Sequence, residues 1–211
     1  MRLIVVRHGE TPYNIQHRFT GQLDIPLSPL GERQAELVGA YLAKQKIDLV
    51  VASDTQRTRA TAQAIAHEHD LLVQEDPNLR EIAMGEWEGH THEEVKELFA
   101  ASLAQWQADP TTYTIPGSGE NLTQVDVRIT HALARWLAQY PHATVVWATH
   151  GGFIGVLICH LLGLDLKRRW QFRHDNASIT EFQLEHEHVV LARLNETAHL
   201  VNIPLVEGAE A

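Results

Sequence analysis

Two short runs constrain this chain more than anything else in it. Residues 2–8, RLIVVRH, and residues 143–152, ATVVWATHGG, are unbroken stretches of mainly apolar, β-branched residues, and each ends in a histidine followed by glycine. A strand apolar on both faces belongs in a parallel sheet covered by helices on either side, whereas a half-exposed strand alternates. A strand meant only for packing has no use for Arg7, His8 and Gly9 at its end. The repeat of that ending at His150, Gly151 and Gly152 marks both termini as chemistry.

The intervening sequence supplies the rest of such a fold. DLVVAS (48–53) predicts a second buried strand and LLVQED (71–76) a third. Helices are predicted over 28–45, with Ser28 as N-cap and Pro29 in the first turn, and over 55–68, 92–108, 123–140 and 152–163. ASITEFQLE and VVLARLN alternate apolar and polar residues around HEH, the pattern of an antiparallel hairpin. The expected fold is a three-layer α/β/α domain spanning 1–211. It has a mostly parallel central sheet, an antiparallel edge and a helical insertion at about 86–125 lying over the active site.

Several classes of function are disfavoured. A formal net charge of −10 sets the surface against nucleic acid and anionic membranes. No apolar run is long enough to span a bilayer. The lone Cys159, inside GVLICHLLG, cannot form an intrachain disulfide and reads as a buried thiol. With no signal-peptide pattern at the start, the expectation is a cytoplasmic protein. Edge strand 189–195 is open to two readings, pairing in a homodimer or being covered.

In open α/β sheets ligands bind beyond the carboxyl ends of the strands. The first strand is followed by Arg7, His8, Gly9 and Asn14, the second by Arg57 and Arg59, the third by Arg80, Glu81 and Glu86, and the fourth by His150, Gly151 and Gly152. If those strands are neighbours, the groups share one pocket, and the set suits phosphoryl transfer. Arginine forks match phosphate oxygens, a neutral histidine can attack phosphorus, a carboxyl group can shuttle the leaving-group proton, and glycine amides can approach the phosphate. Arginines can carry the charge stabilisation, so neither a metal nor another cofactor is required. The bland alternatives are a solvated loop histidine, an exposed Arg59, and a Glu81 that merely pairs with Arg80. The two HEH stretches, at 67–69 and 186–188, lack a marked third ligand for a metal.

RHGET, Asn14, RFTGQLDIPLSPLGERQA, SDTQRTRATA, LREIAMGEWEG, PGSGEN and VVWATHGG, in this order, resemble the histidine phosphatase (phosphoglycerate mutase-like) superfamily from residue 3 to about 200. The resemblance implies a phosphohistidine mechanism on a small phosphorylated metabolite. His8 would be the nucleophile, Glu81 the general acid/base, and Arg7, Arg57 and His150 the phosphate pocket. Asn14, Thr20, Gly21 and Gly151 would assist in binding phosphate, with Arg59 assigned no role. Cofactor-dependent mutases resemble the chain but are longer between the glutamate and the second histidine, where they carry extra bases. Here residues 86–125 contain only Lys96. The reading is therefore a metal-independent phosphatase, with a phosphoglycerate mutase and a non-catalytic phospho-ligand binder as alternatives. DNASIT and LNETAHL resemble the small bacterial phosphatases that act on phosphoserine, on α-ribazole phosphate or broadly. Phosphoserine-specific members place a histidine where this chain has Met84.

Overall fold

The structure, a computed structural model, describes residues 1–185 and 188–200. The chain runs β1 (Arg2–Arg7), α1 (Pro12–Ile15), α2 (Pro29–Leu42), β2 (Leu49–Ala52), α3 (Gln56–His67) and β3 (Val73–Glu75). It continues with α4 (His92–Leu98), α5 (Ala100–Ala108), α6 (Leu122–Gln139), β4 (Thr144–Thr149), α7 (Gly151–Leu161), β5 (Ile179–Glu185) and β6 (His188–Glu196). The strands form one six-stranded sheet in the order β3-β2-β4-β1-β5-β6. Pairing is parallel from β3 across to β1, then antiparallel through β5 and β6. This is the expected mostly parallel sheet with an antiparallel edge.

Both faces of the central strands are dry, and successive side chains explain why. Leu3 and Val5 pack with Val145, Trp147 and helices α6 and α7, while Ile4 and Val6 pack with Val146, Ala148 and helices α2 and α3. An uninterrupted apolar run is what two covered faces demand. The chain leaves β1 toward the α2–α3 face and leaves β4 toward the α6–α7 face. Between these adjacent strands lies the switch point where an open α/β sheet forms its crevice. His8 N–H donates to the Thr149 carbonyl across it, at 2.9 Å.

Capping fixes where the helices start. Ser28 accepts from Gly31 N–H with Pro29 in the first turn of α2, and Thr91–Glu94 and Asn121–Gln124 form capping boxes for α4 and α6. The helix predicted over 92–108 is two helices, because Phe99 leaves helical geometry at φ −126°, ψ 29°. That turn sets the Phe99 ring edge-on to His90, 5.4 Å between centroids. Strand β3 is shorter than predicted, since Leu71 and Leu72 precede it. The insertion joins the larger core through Trp87, Trp106, Ile115 and Leu122. Among the described residues no helix is long and apolar enough to cross a membrane. His186 lies outside the described residues.

Candidate active site

His8 and His150 meet at the switch point, rings 5.3 Å apart between centroids and set edge to face at 65°. Both are buried. His8 Nδ1 lies 2.7 Å from the Gly9 carbonyl oxygen. A carbonyl only accepts, so Nδ1 carries the proton and Nε2 keeps its lone pair. Burial, then the charges of Arg57 and Arg7, hold the His8 pKa well below the ordinary histidine value, against the bond to Gly9. The ring is neutral near pH 7. His150 is likewise held neutral, chiefly by burial. Its Nε2 is 2.9 Å from Ser53 Oγ and its Nδ1 is buried without a partner among the described residues.

Two arginines flank the pair. Arg57 is fully buried on the first turn of α3, where Nη1 donates to Leu23 O at 2.7 Å and Nη2 to Gly21 O at 2.9 Å. Those carbonyls tie the 20–23 loop to α3 and leave Nε unpartnered. Arg7 donates from Nη1 to His174 O, and its buried Nε is unpartnered too. Burial lowers both guanidinium pKa values, that of Arg57 to about 10, still cationic near neutrality. Buried donors without partners are costly unless something arrives to accept from them. Two such cations beside two neutral imidazoles describe a site that waits for an anion.

Glu81 stands at the N-terminus of α7. Its carboxylate accepts from Gly152 N–H at 3.0 Å and Phe153 N–H at 2.8 Å, and from its own neighbour Ile82 at 2.9 Å. Position 152 must be glycine for this, since a Cβ there would lie 2.7 Å from Glu81 Oε1. The pairing with Arg80 does not occur. Arg80 is held by Asp54 through Nε at 2.6 Å and Nη2 at 2.5 Å. Arg59 pairs with Glu75 at 3.6 Å, on the surface.

The supporting positions fall around this centre. Asn14 closes the Thr11 capping box of α1, and its Oδ1 accepts from Thr11 N–H at 3.0 Å and Asn176 Nδ2 at 3.2 Å. Its oxygen is thereby committed, which directs the NH2 group elsewhere. Thr20 and Gly21 sit in the loop held by Arg57, and Glu88 braces the same loop by accepting from Gln22 N–H at 2.9 Å. Gly151 lies against Arg7, where a Cβ would stand 3.3 Å from Nε. Among the described residues no three His, Cys, Asp or Glu come together in a way that could hold a metal ion.

The motif spacing misses four residues of this assembly. Arg128 on α6 donates to both Glu120 oxygens, at 2.7 and 2.9 Å, and to the carbonyls of Asn78 and Arg80, at 2.7 and 3.1 Å. It clamps the loop that presents Glu81, yet in sequence it is one charge on an amphipathic helix. Asn176, Arg169 and His174 come from the segment between α7 and β5, which has no periodicity to read. Arg128 and Arg169 also lie outside the 86–125 interval, whose one Lys or Arg is Lys96. Arg128 adds no free charge because Glu120 takes it; Arg169 does.

Three comparisons bear on this geometry. The family model of the histidine phosphatase superfamily (branch 1) matches residues 3–197. Phosphoserine phosphatase 1 of Hydrogenobacter thermophilus is 34% identical over 200 residues, covering 95% of this chain and 94% of that one. The adenosylcobalamin/alpha-ribazole phosphatase of Escherichia coli is 30% identical over 199 residues, covering 94% and 97%. Among solved structures, a phosphoserine phosphatase of Entamoeba histolytica in complex with phosphoserine superimposes with a TM-score of 0.86 at 30% identity, covering 95% and 99%. The fold and site define a phosphoryl-transfer enzyme of the open α/β type. The chain belongs to the histidine phosphatase superfamily, branch 1, and with it to the phosphoric monoester hydrolases.

Proposed function

We propose that this chain hydrolyses small phosphomonoesters through a phosphoryl group carried on His8. The observation that carries the reading is the His8 ring, neutral, with Nδ1 tied to Gly9 and Nε2 free between two arginines that each keep a buried, unpartnered Nε. The phosphoryl oxygens would accept from Arg7, Arg57, His150 Nδ1, the Asn14 amide and the backbone at Thr20–Gly21 and Gly151. Ser53, by occupying His150 Nε2, leaves Nδ1 to face them.

In the first step His8 Nε2 bonds to phosphorus as the bond to the alcohol oxygen breaks, and Glu81 gives that oxygen its proton. In the second, Glu81 takes a proton from water, whose oxygen bonds to phosphorus as the P–N bond breaks. Inorganic phosphate leaves and His8 returns to its neutral form. The α7 amides hold the Glu81 carboxylate beside the pocket in both steps. The arginines supply the positive charge, so no step needs a metal.

Residues 1–211 act as one domain in this reading, and 86–125 cover the pocket. Its bracing of the 20–23 loop through Glu88 and the bridge between Arg18 and Thr91 support that role. The substrate would be a cytoplasmic metabolite, consistent with the single buried Cys159. The outer edge of β6, with Val190 and Leu194 exposed, is where a homodimer would form. The test is phosphate release by the purified protein, with EDTA, across phosphoserine, 3-phosphoglycerate, α-ribazole phosphate, sugar phosphates and p-nitrophenyl phosphate. Turnover that survives EDTA supports the reading. Activity that zinc alone restores, or transfer only between phosphoglycerates with a bisphosphate present, would replace it.

A further inference from the structure

The segment between α7 and β5 holds a buried cation for which the two steps above have no use. Lys167, Arg168 and Arg169 lie on a 3-10 turn, Leu166–Gln171. Lys167 and Arg168 face solvent, whereas Arg169 turns inward and is 3% exposed.

Contacts on three sides fix where it sits. Its backbone lies on α7 at Gly155, where a Cβ would stand 3.0 Å from the Arg169 carbonyl oxygen and 3.2 Å from Arg169 Cβ. Gly155 is one turn along α7 from Gly152, whose N–H holds Glu81, a separation of about 4.5 Å at the helical rise. Trp170 stacks on the guanidinium, 3.3 Å from its carbon to the ring centroid, and Trp106 of α5 lies at 5.7 Å. The side chain therefore roots one helical turn from the proposed acid, beneath the insertion that covers the pocket.

What it leaves open is specific. Arg169 Nε and Nη2 are both buried and have no hydrogen-bond partner among the described residues. These two N–H groups point the same way and form the edge of the guanidinium that grips both oxygens of a carboxylate. Trp170 covers one planar face, and the buried edge is left to bind with. The other inward arginines are occupied or already assigned: Arg128 holds Glu120, and Arg7 and Arg57 face His8. Burial pushes the Arg169 pKa down to about 9, and Glu81 is the carboxylate whose charge opposes this most. The group stays charged near neutrality and lies within the field of the site.

We infer that Arg169 is a specificity-determining residue whose Nε–Nη2 edge receives a carboxylate on the alcohol part of the substrate. The inference rests on the reading of the His8 site as a phosphomonoester site. It narrows the substrate class to phosphate esters of short hydroxy acids. A planar carboxylate lies coplanar with a guanidinium stacked on an indole, whereas a second phosphoryl group would push an oxygen into the ring face.

Matched pairs test it. 3-Phosphoglycerate and glycerol 3-phosphate differ by a carboxylate, as do phosphoserine and phosphoethanolamine. The acid of each pair is preferred in kcat/KM by about 10- to 100-fold, the worth of a bidentate charged pair, with most of the difference in KM. Arg169→Met erases that preference and Arg169→Lys restores part of it. Both variants are first checked for an unchanged melting transition. A wild-type enzyme that turns over both members equally, or an Arg169→Met variant that keeps the preference, would overturn the inference. The same pairs are titrated calorimetrically into His8→Ala with and without Arg169→Met. Discrimination there that depends on Arg169, with no turnover in the wild type, would sustain the inference and refute the phosphatase reading. Equal binding of both members would refute the inference alone.

Discussion

Arg2 and Arg7 stand at opposite ends of one six-residue strand, and the protein treats them in opposite ways. Arg2 is saturated. It donates to both Glu181 oxygens, at 2.7 and 3.0 Å, and to Gln45, and the bond to Glu181 raises its pKa. Arg7 is half-buried, keeps a buried, idle Nε and has its pKa lowered by desolvation. The amino end of β1 spends its charge on holding β5 in place. The carboxyl end leaves a buried donor unspent, at a cost in stability, which is what the proposed phosphate site calls for. The same contrast separates Arg128, fully bonded, from Arg57 and Arg169, and it distinguishes scaffold from site without reference to any motif.

Substitutions should bring out the contrast. The largest effect is expected at the proposed nucleophile, where His8→Ala lowers phosphate release by about a thousandfold or more. Full turnover without His8 would end the covalent reading. The two arginines come next, as a crossed pair. Arg7→Met should cost about 10²- to 10³-fold in kcat/KM while leaving stability level or raised by about 1 kcal/mol, since a half-buried charge with a buried idle donor is removed. Arg2→Met should leave turnover intact and cost about 1–3 kcal/mol, because among the described residues buried Glu181 then keeps only Arg193, at 3.5 Å. Denaturant melts and steady-state kinetics on both variants would break the comparison if the two costs ran in parallel.

Much of this was legible in the sequence, for a physical reason. His8, Arg7, Arg57 and His150 follow strands whose doubly apolar pattern announces a parallel sheet, and such a sheet puts strand ends together. The central strands and the capped helices were readable because caps and burial are local. Glu81 was placed among the third strand's followers, and only the resemblance gave it a role. The α7 amides that hold it belong to a helix far along the chain. Arg169 gives no signal and Asn176, though inside DNASIT, is given no role, because a segment without periodicity does not reveal which of its side chains turn inward. The break at Phe99 was hidden for the opposite reason, since the apolar spacing runs through it.

Two smaller effects refine the picture. Glu81→Gln should slow esters of poorly acidic alcohols by about 10²-fold or more, and p-nitrophenyl phosphate, whose leaving group needs little protonation, far less. Equal slowing of both would remove Glu81 as the acid. The buried histidines set the acid limit of stability. The pKa values of His8, His150 and His174 are all lowered by burial, that of His174 to about 3. The unfolded chain takes up these protons near pH 6.5 while the folded one does not. Stability is therefore full above that value and lost as pH falls below it, by about 1.4 kcal/mol per histidine per pH unit. Between pH 7 and 5, His174→Gln should flatten that fall by about a quarter to a third, because half-buried His199 is lowered as well, read from melts at each pH. An unchanged slope would place the proton uptake elsewhere.

The most direct measurement is to quench the enzyme during turnover and map the phosphoryl group by mass spectrometry under alkaline conditions. The account predicts an acid-labile, alkali-stable phosphoryl group on His8, abolished in His8→Ala and longer-lived in Glu81→Gln. Turnover with no labelled histidine, or with the label on another residue, would contradict it.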